Sequence, residues 1–181
     1  MSTVQVDTIN ESTTGSGVTV DGVLIKDGGI ASSYITGGTG KILQVVSATS
    51  STAQDTTSTS YVDITNLSVA ITPSSTDNDI LILYTDTTRT TRTNDVSSGT
   101  VTVQLLRDST SIAVKQASFY NSAGGNGSNS IVQGEAISEL DSPSTTSAIT
   151  YKMQMKASSS TTISSQYGNS TASIIAMEIA G

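Results

Sequence analysis

The sequence predicts an all-β protein, and three features of it carry that expectation. Its apolar residues are mostly Val and Ile, whose branched side chains are stiff at the first torsion and suit a pleated surface. From Lys41 onward, strand-like segments recur at regular spacing between turns of Gly, Asn, Asp, Ser and Pro, as in a sandwich or barrel. No window sustains a helical apolar period, so almost no helix is expected.

The elements follow in order. Residues 1–40 hold two extended pieces, Val4–Ile9 and Val18–Ile25, which share Val-x-Val-Asp and form a weak two-fold repeat. This segment has too few apolar side chains for a core of its own and must fold against something, most simply copies of itself. The Gly37-Gly38-Thr39-Gly40 joint separates it from a second domain, 41–181. There the expected strands are 42–48, 60–72, 79–87, 99–107, 110–118, 131–139, 147–157, 161–166 and 171–180. In Ile149–Ala157 every odd residue is apolar and every even one polar, which gives one buried and one wet face. Ile80–Tyr84 is apolar on both faces, as suits a central strand or one also covered by a neighbouring subunit. Val62 and Ile64 alternate in one phase and Leu67, Val69 and Ile71 in the other, so a bulge is expected near Asn66. Pro73 and Pro143 fall in turns, outside any strand centre. The last strand, Ser173–Ala180, is apolar on both faces except at Glu178, which places it inside a sheet or at a subunit axis, with Glu178 at the edge of that contact or paired within it.

Composition bounds the chemistry. The 181 residues carry eight Lys and Arg against fifteen Asp and Glu, a net charge of -7, which argues against a nucleic-acid-binding chain of the usual basic kind. The sequence has no Cys and no His, which removes disulfides, thiolate and imidazole metal sites, Cys nucleophiles and Ser-His-Asp triads. About a third of the chain is Ser or Thr, while only 13% is charged and 4% aromatic, so the surface is polar but nearly uncharged. Met1–Glu11 has no basic residue followed by an apolar run, and no apolar stretch reaches the roughly 18 residues of a membrane span. The expectation is therefore synthesis in a cytoplasm, with no membrane insertion and no cofactor.

Four constellations invite a chemical reading. Gly37–Lys41 resembles a phosphate-cradling loop, but the places that need Gly and Ser or Thr hold Ile35 and Ile42, which leaves a flexible joint. Asp77 and Asp79 offer oxygen ligands for a hard cation, against the plainer reading of a turn held by side-chain to backbone hydrogen bonds. Glu135, Glu139 and Asp141 are candidate paired carboxylates for glycoside hydrolysis, although a chain with one Phe, six Tyr and no Trp supplies few sugar platforms. Arg89 and Arg92, with Asn94, read as a turn that grips an anionic sugar or phosphate, or as basic partners for the chain's own carboxylates. Residues 121–130, small and polar, read as a long exposed loop in which Asn121, Asn126 and Asn129 are candidate ligand contacts.

The stretch Val4–Ile9 through Thr13–Gly28 resembles the repeat of fibre proteins of tailed bacteriophages, especially cyanophage-like marine phages. Gly40–Val46, the turn Ile71–Ser75 before Asp79–Ile82, Leu105–Asp108, Leu140–Pro143 with Thr146–Tyr151, and Ile174–Ile179 resemble the C-terminal knob of the same proteins. The resemblance covers most of the chain and rests on turns and strands. It implies a homotrimer: an interwoven N-terminal anchor or short stalk (1–40) that docks to the particle, followed by an antiparallel jelly-roll-like β-sandwich knob (41–181). Docking would then fall to Val4, Val6, Ile9, Val18, Val20, Val23, Leu24 and Ile25. Implied partners are copies of itself, other virion structural proteins and host-surface polysaccharide, with the chain at the virion surface and no enzymatic activity. With at most two shaft repeats, a short tail fibre, a head fibre and a capsid decoration protein all remain as readings, with a polysaccharide-degrading appendage as the enzymatic alternative.

Overall fold

The computed structural model describes residues 18–20, 23–26, 29–30, 41–92, 98–120 and 129–181. The chain divides into two units, Met1–Thr39 and Gly40–Gly181. In the first, β1 (Val18–Val20), β2 (Val23–Lys26) and β3 (Gly29–Ile30) make a small antiparallel sheet in that order. Val18–Ile25 is thus not one extended piece. Val20 stands opposite Val23, and the two residues between them are Asp21 and Gly22, the pair that two-residue hairpins favour.

The second unit is built from β4 (Ile42–Ser50), β5 (Gln54–Thr56), β6 (Val62–Ile71), β7 (Asp79–Arg92), β8 (Ser98–Arg107), β9 (Thr110–Tyr120), β10 (Asn129–Asp141), β11 (Ile149–Ala157), β12 (Thr161–Ser165) and β13 (Ala172–Ile179). Its sheets are antiparallel. The first has β7 at its centre, with β10 along one edge and β13 then β12 end to end along the other; β4 lies beyond β13 and β5 beyond β12. The second runs β6-β11-β8-β9. With β12 and β13 taken as one interrupted strand and short β5 set aside, the order is first, eighth, third, sixth in one sheet and second, seventh, fourth, fifth in the other. That is the double Greek-key winding of a jelly-roll sandwich.

Most strands lie where alternation places them, and the departures have physical reasons. β11 buries every odd residue, from Ile149 to Ala157. In β6, Ile64 and Leu67 are both buried because Asn66 adopts a left-handed backbone (φ 64°), and the pairing register with β11 slips at that level. β5 escapes a hydrophobic pattern because Gln54-Asp55-Thr56 has no apolar side chain; it is a strand only through its pairing with β12. β7 runs to Arg92 rather than ending at Thr87. Its Thr-rich end is paired on both sides, by β10 and by β12, and β-branched Thr suits such a strand. Arg89 and Arg92 therefore lie in a strand and not in a turn.

Between the sheets, Ile80, Ile82 and Tyr84 of β7 and Ile174 and Ala176 of β13 pack toward Val103, Leu105, Met153 and Met155 of the second sheet. Further along β7 the inward positions become polar: Asp86, Thr88, Thr90 and Arg92 are all buried. At that end Gly99 of β8 stands directly opposite Phe119 of β9. A β-carbon at Gly99 would lie 2.5 Å from Cε1 and 2.9 Å from Cζ of the Phe119 ring, so the ring covers the backbone only because the side chain is absent. Gly99→Ala is expected to displace the ring and lower stability by roughly 1–3 kcal/mol, the usual cost of overpacking, read as a lower urea midpoint. An unchanged midpoint would show that Phe119 has room to move.

Candidate assembly surface

The two outer faces of the sandwich differ sharply. On the first sheet, residue pairing lines up outward side chains in rows across four strands. One row is Val45, Met177, Leu81 and Leu140; the next is Ser47, Ile175, Leu83 and Ser138. Ile42 stands opposite Ile179 at the end of the same face. Val45 and Leu140 are 56% and 57% exposed and Ile42 is 52% exposed, while Leu81, Leu83, Ile175, Met177 and Ile179 are half-buried by one another. Neighbouring strands lie about 4.8 Å apart, so the first row, apolar from end to end, spans roughly 14 Å, while the second is apolar only at its two middle positions. The two-sided character of Ile80–Tyr84 and Ser173–Ala180 is accounted for here: one set of side chains fills the core and the other set builds this face.

The outer face of the second sheet is crossed by a chain of polar partners, with exposed Val114 and Tyr120 on β9 beside it. Ser111 Oγ donates to Gln104 Oε1 (3.2 Å), Gln104 Nε2 to Gln154 Oε1 (2.5 Å), Gln154 Nε2 to Asp63 Oδ1 (2.6 Å) and Lys152 Nζ to Asp63 Oδ2 (3.1 Å). The hydrogen bond from Gln154, together with the bond and charge of Lys152, lowers the Asp63 pKa below the usual carboxylate range against a smaller desolvation effect. A face whose amides and charges satisfy each other is suited to water.

The residues singled out by sequence scatter. Arg92 points into the sandwich and is 3% exposed, so it cannot grip a ligand on a host surface; the phase of β7 turns it inward. Arg89 faces outward but lies over the Tyr167 ring, 4.3 Å from its centroid, with Nη2 donating to Ser164 Oγ at 3.3 Å. Asn129 is the first residue of β10, opposite Arg92, rather than part of a loop. Asn94, Asn121 and Asn126 lie outside the described residues, as do Val4, Val6 and Ile9; Val18, Val20, Val23, Leu24 and Ile25 lie in β1 and β2.

The three candidate carboxylates lie on one strand and differ in their surroundings. Glu135 and Glu139, four residues and so about 13 Å apart, exceed the spacing of a glycosidase pair; Glu139 and Asp141 are two residues apart on one face, but Asp141 is taken up by Arg107 and Tyr151. Glu135 is buried, accepts from Gln133 Nε2 at 2.8 Å and lies 3.3 Å from Lys115 Nζ. Asp141 ties the two sheets: Arg107 Nη1 reaches its two oxygens at 2.8 and 2.9 Å, and Tyr151 Oη donates to Oδ2 at 2.6 Å. Burial first, then the hydrogen bond to Asp141, push the Tyr151 pKa above the usual tyrosine range, so it stays a donor. Asp79 Oδ1 accepts from Ser142 Oγ at 2.5 Å, and Asp77 N donates to Ser75 Oγ at 3.2 Å, the side-chain-held turn that was the plainer alternative. Among the described residues no group of three or more acidic residues converges as a metal site.

Two further carboxylates hold the fold. Of the two readings open for Glu178, at the edge of its strand's contact or paired within it, the structure takes the second. Its Oε1 accepts from Ser74 N (2.6 Å), Ser74 Oγ (2.7 Å) and Asn78 Nδ2 (2.6 Å), and its Oε2 accepts from Gln44 Nε2 (2.6 Å). Burial raises its pKa, but the bonds from Asn78, Ser74 and Gln44 together outweigh that and hold it at about 2. Asn78 Oδ1 in turn accepts from Gly181 N at 3.2 Å, so Glu178 organises the β6–β7 turn and the C-terminal residue at once. Asp86 sits where β13 gives way to β12. Its Oδ2 accepts from Tyr84 Oη (3.1 Å) and Ser165 Oγ (2.5 Å), and its Oδ1 from Gln166 N (3.0 Å), where the chain turns through a left-handed residue (φ 51°). Burial first, then the charges of Asp86 and Glu135 and the bond to Asp86, push the Tyr84 pKa far above the usual range.

No family model matches the sequence, and no curated protein matches it. Among solved structures, the chain is similar to one of infectious bursal disease virus, Gt strain, at 14% identity, with 79% of this chain and 39% of that chain covered and a TM-score of 0.32. It is similar also to T=1 particles derived from infectious bursal virus (12% identity, 79% and 37% covered, TM-score 0.30) and to the Gx strain (15%, 79% and 38%, TM-score 0.28). This chain spans about two fifths of the length of those chains.

Proposed function

We propose that this chain is a structural virion protein: a short, homotrimeric phage fibre that docks to the particle through residues 1–40 and presents the jelly-roll sandwich for host attachment. The observation that carries the reading is the contrast between the outer faces: one gathers contiguous exposed apolar side chains across four strands, and the other is crossed by a satisfied polar ladder. A subunit built to be covered on one side and wetted on the other is an assembly part. The phage assignment comes from the resemblance of the N-terminal repeat and of the strand and turn segments in 41–181. The protein breaks no bonds in this reading, and attachment rests on weak polar contacts multiplied by copy number, which raises avidity by ~100-fold or more.

A second reading is capsid cement, in which the sandwich is a cap whose apolar outer face packs on the shell subunits and stabilises them. Particles lacking the protein separate the two. Loss of adsorption with intact heads supports the fibre, and heads that fail on heating or in low salt support the cement. Deleting residues 1–30 is expected to leave a soluble sandwich that no longer joins particles, measured by immunolabelling of purified virions; incorporation of the truncated chain would remove the N-terminal docking role. Release of reducing ends from host polysaccharide by the purified protein would overturn the non-enzymatic assignment.

A further inference from the structure

We infer that the outer face of β4, β13, β7 and β10 is the surface through which copies of this chain pack against one another, with the Val45–Met177–Leu81–Leu140 row at the centre of the contact. The inference deepens the reading of a self-assembling virion protein and names the surface that does the assembling. Three properties of the face select a second copy as its occupant.

The first is charge. The chain carries a net charge of -7, so its copies repel each other over most of their surfaces. Along the four strands, the outward side chains are uncharged from one end of the face to the other, with Asp79 at one end and Arg89 toward the other. Identical acidic chains can meet there without bringing like charges together. A partner recognised by charge would find nothing to read, and a lipid surface would be met without the basic residues or aromatic belt that favour it.

The second is the edge. β4 pairs with β13 and carries Ile42, Leu43 and Val45, all strongly exposed, on the outermost strand of the sheet. An apolar edge strand is an aggregation hazard unless something covers it, and a neighbouring copy in a closed assembly covers it in every subunit.

The third is size. Four strands by the eight residues of β13 make a face of about 19 Å by 27 Å, on the order of 500 Å² in projection. A standard stable interface buries ~800 Å² per partner, of which this projected area is the larger part.

The test is the mass of the full chain in solution by light scattering. The wild-type protein is expected to be an oligomer. Val45→Glu, on an exposed edge position where folding tolerates the change, and Met177→Glu, at the centre of the row, are each expected to reduce it to smaller species with an unchanged β-sheet circular dichroism spectrum. Gln116→Glu, on the polar outer face, is expected to leave the mass unaltered. A wild-type monomer overturns the inference. So does a wild-type oligomer whose mass Val45→Glu leaves unchanged, because residues 1–40 would then suffice for assembly. Labelling of virions tests the virion reading separately, so the surface can fail while that reading stands.

Discussion

Glu178→Gln is expected to destabilise the sandwich by roughly 2–3 kcal/mol and to flatten its acid limb. The wild-type carboxylate receives four hydrogen bonds in a site that is 1% exposed. An amide of the same shape must place its own NH2 against half-buried Gln44 Nε2 or against the buried Asn78 and the Ser74 donors, so at least one donor loses its partner and the charge that strengthens all four bonds is lost. The sign of the pH dependence follows from the pKa of about 2, depressed from 4.5. A depressed carboxylate contributes stability that is fully present above its unfolded value and is lost as the pH falls from about 4.5 toward 2. Urea midpoints measured from pH 6 to pH 2 should fall steeply for the wild type and less so for Glu178→Gln. Parallel acid limbs would show that other carboxylates govern acid unfolding. The C-terminal residue offers a second readout. Gly181 hangs on Asn78, so its amide should exchange faster in the variant.

Asp86→Ala is expected to cost about 3 kcal/mol or more, because it orphans three buried donors at once: Tyr84 Oη, Ser165 Oγ and the Gln166 amide. The loss falls on a break in the sheet. β7 is one long strand, but its partner on that side is two strands, and Asp86 bonds the backbone where the second begins to turn away. Faster exchange of the Gln166 amide, together with a lower midpoint, is the expected pair of results. A variant within 0.5 kcal/mol of wild type, the usual range for a surface change, would mean that water replaces the carboxylate without loss. These two sites anchor opposite halves of the β7 inner face, apolar toward Glu178 and polar beyond Tyr84, so their effects should add.

Local periodicity made much of this legible. Ile149–Ala157 announced its buried face because adjacent side chains in a strand point to opposite sides, and Asn66 announced a bulge because the alternation changes phase across it. The Thr-rich end of β7 was not legible. Thr87–Arg92 reads as polar turn sequence until β10 and β12 supply backbone partners on both sides, and pairing partners are far away in the chain. Arg92 changed from a ligand candidate to a buried residue for that reason alone.

By itself, the sequence determined the fold class, the place of most strands and the absence of thiol and imidazole chemistry, because those follow from residue type and from a period of two. It also showed that Ile80–Tyr84 and Ser173–Ala180 have two apolar faces. Only the tertiary structure decided what the second face is for. Val45, Leu81, Leu140 and Met177 are spread across more than half the chain, and the register of four strands brings them into one exposed row. Register depends on pairing between distant segments, which no local pattern encodes, and the same pairing closes four donors around Glu178 and three around Asp86.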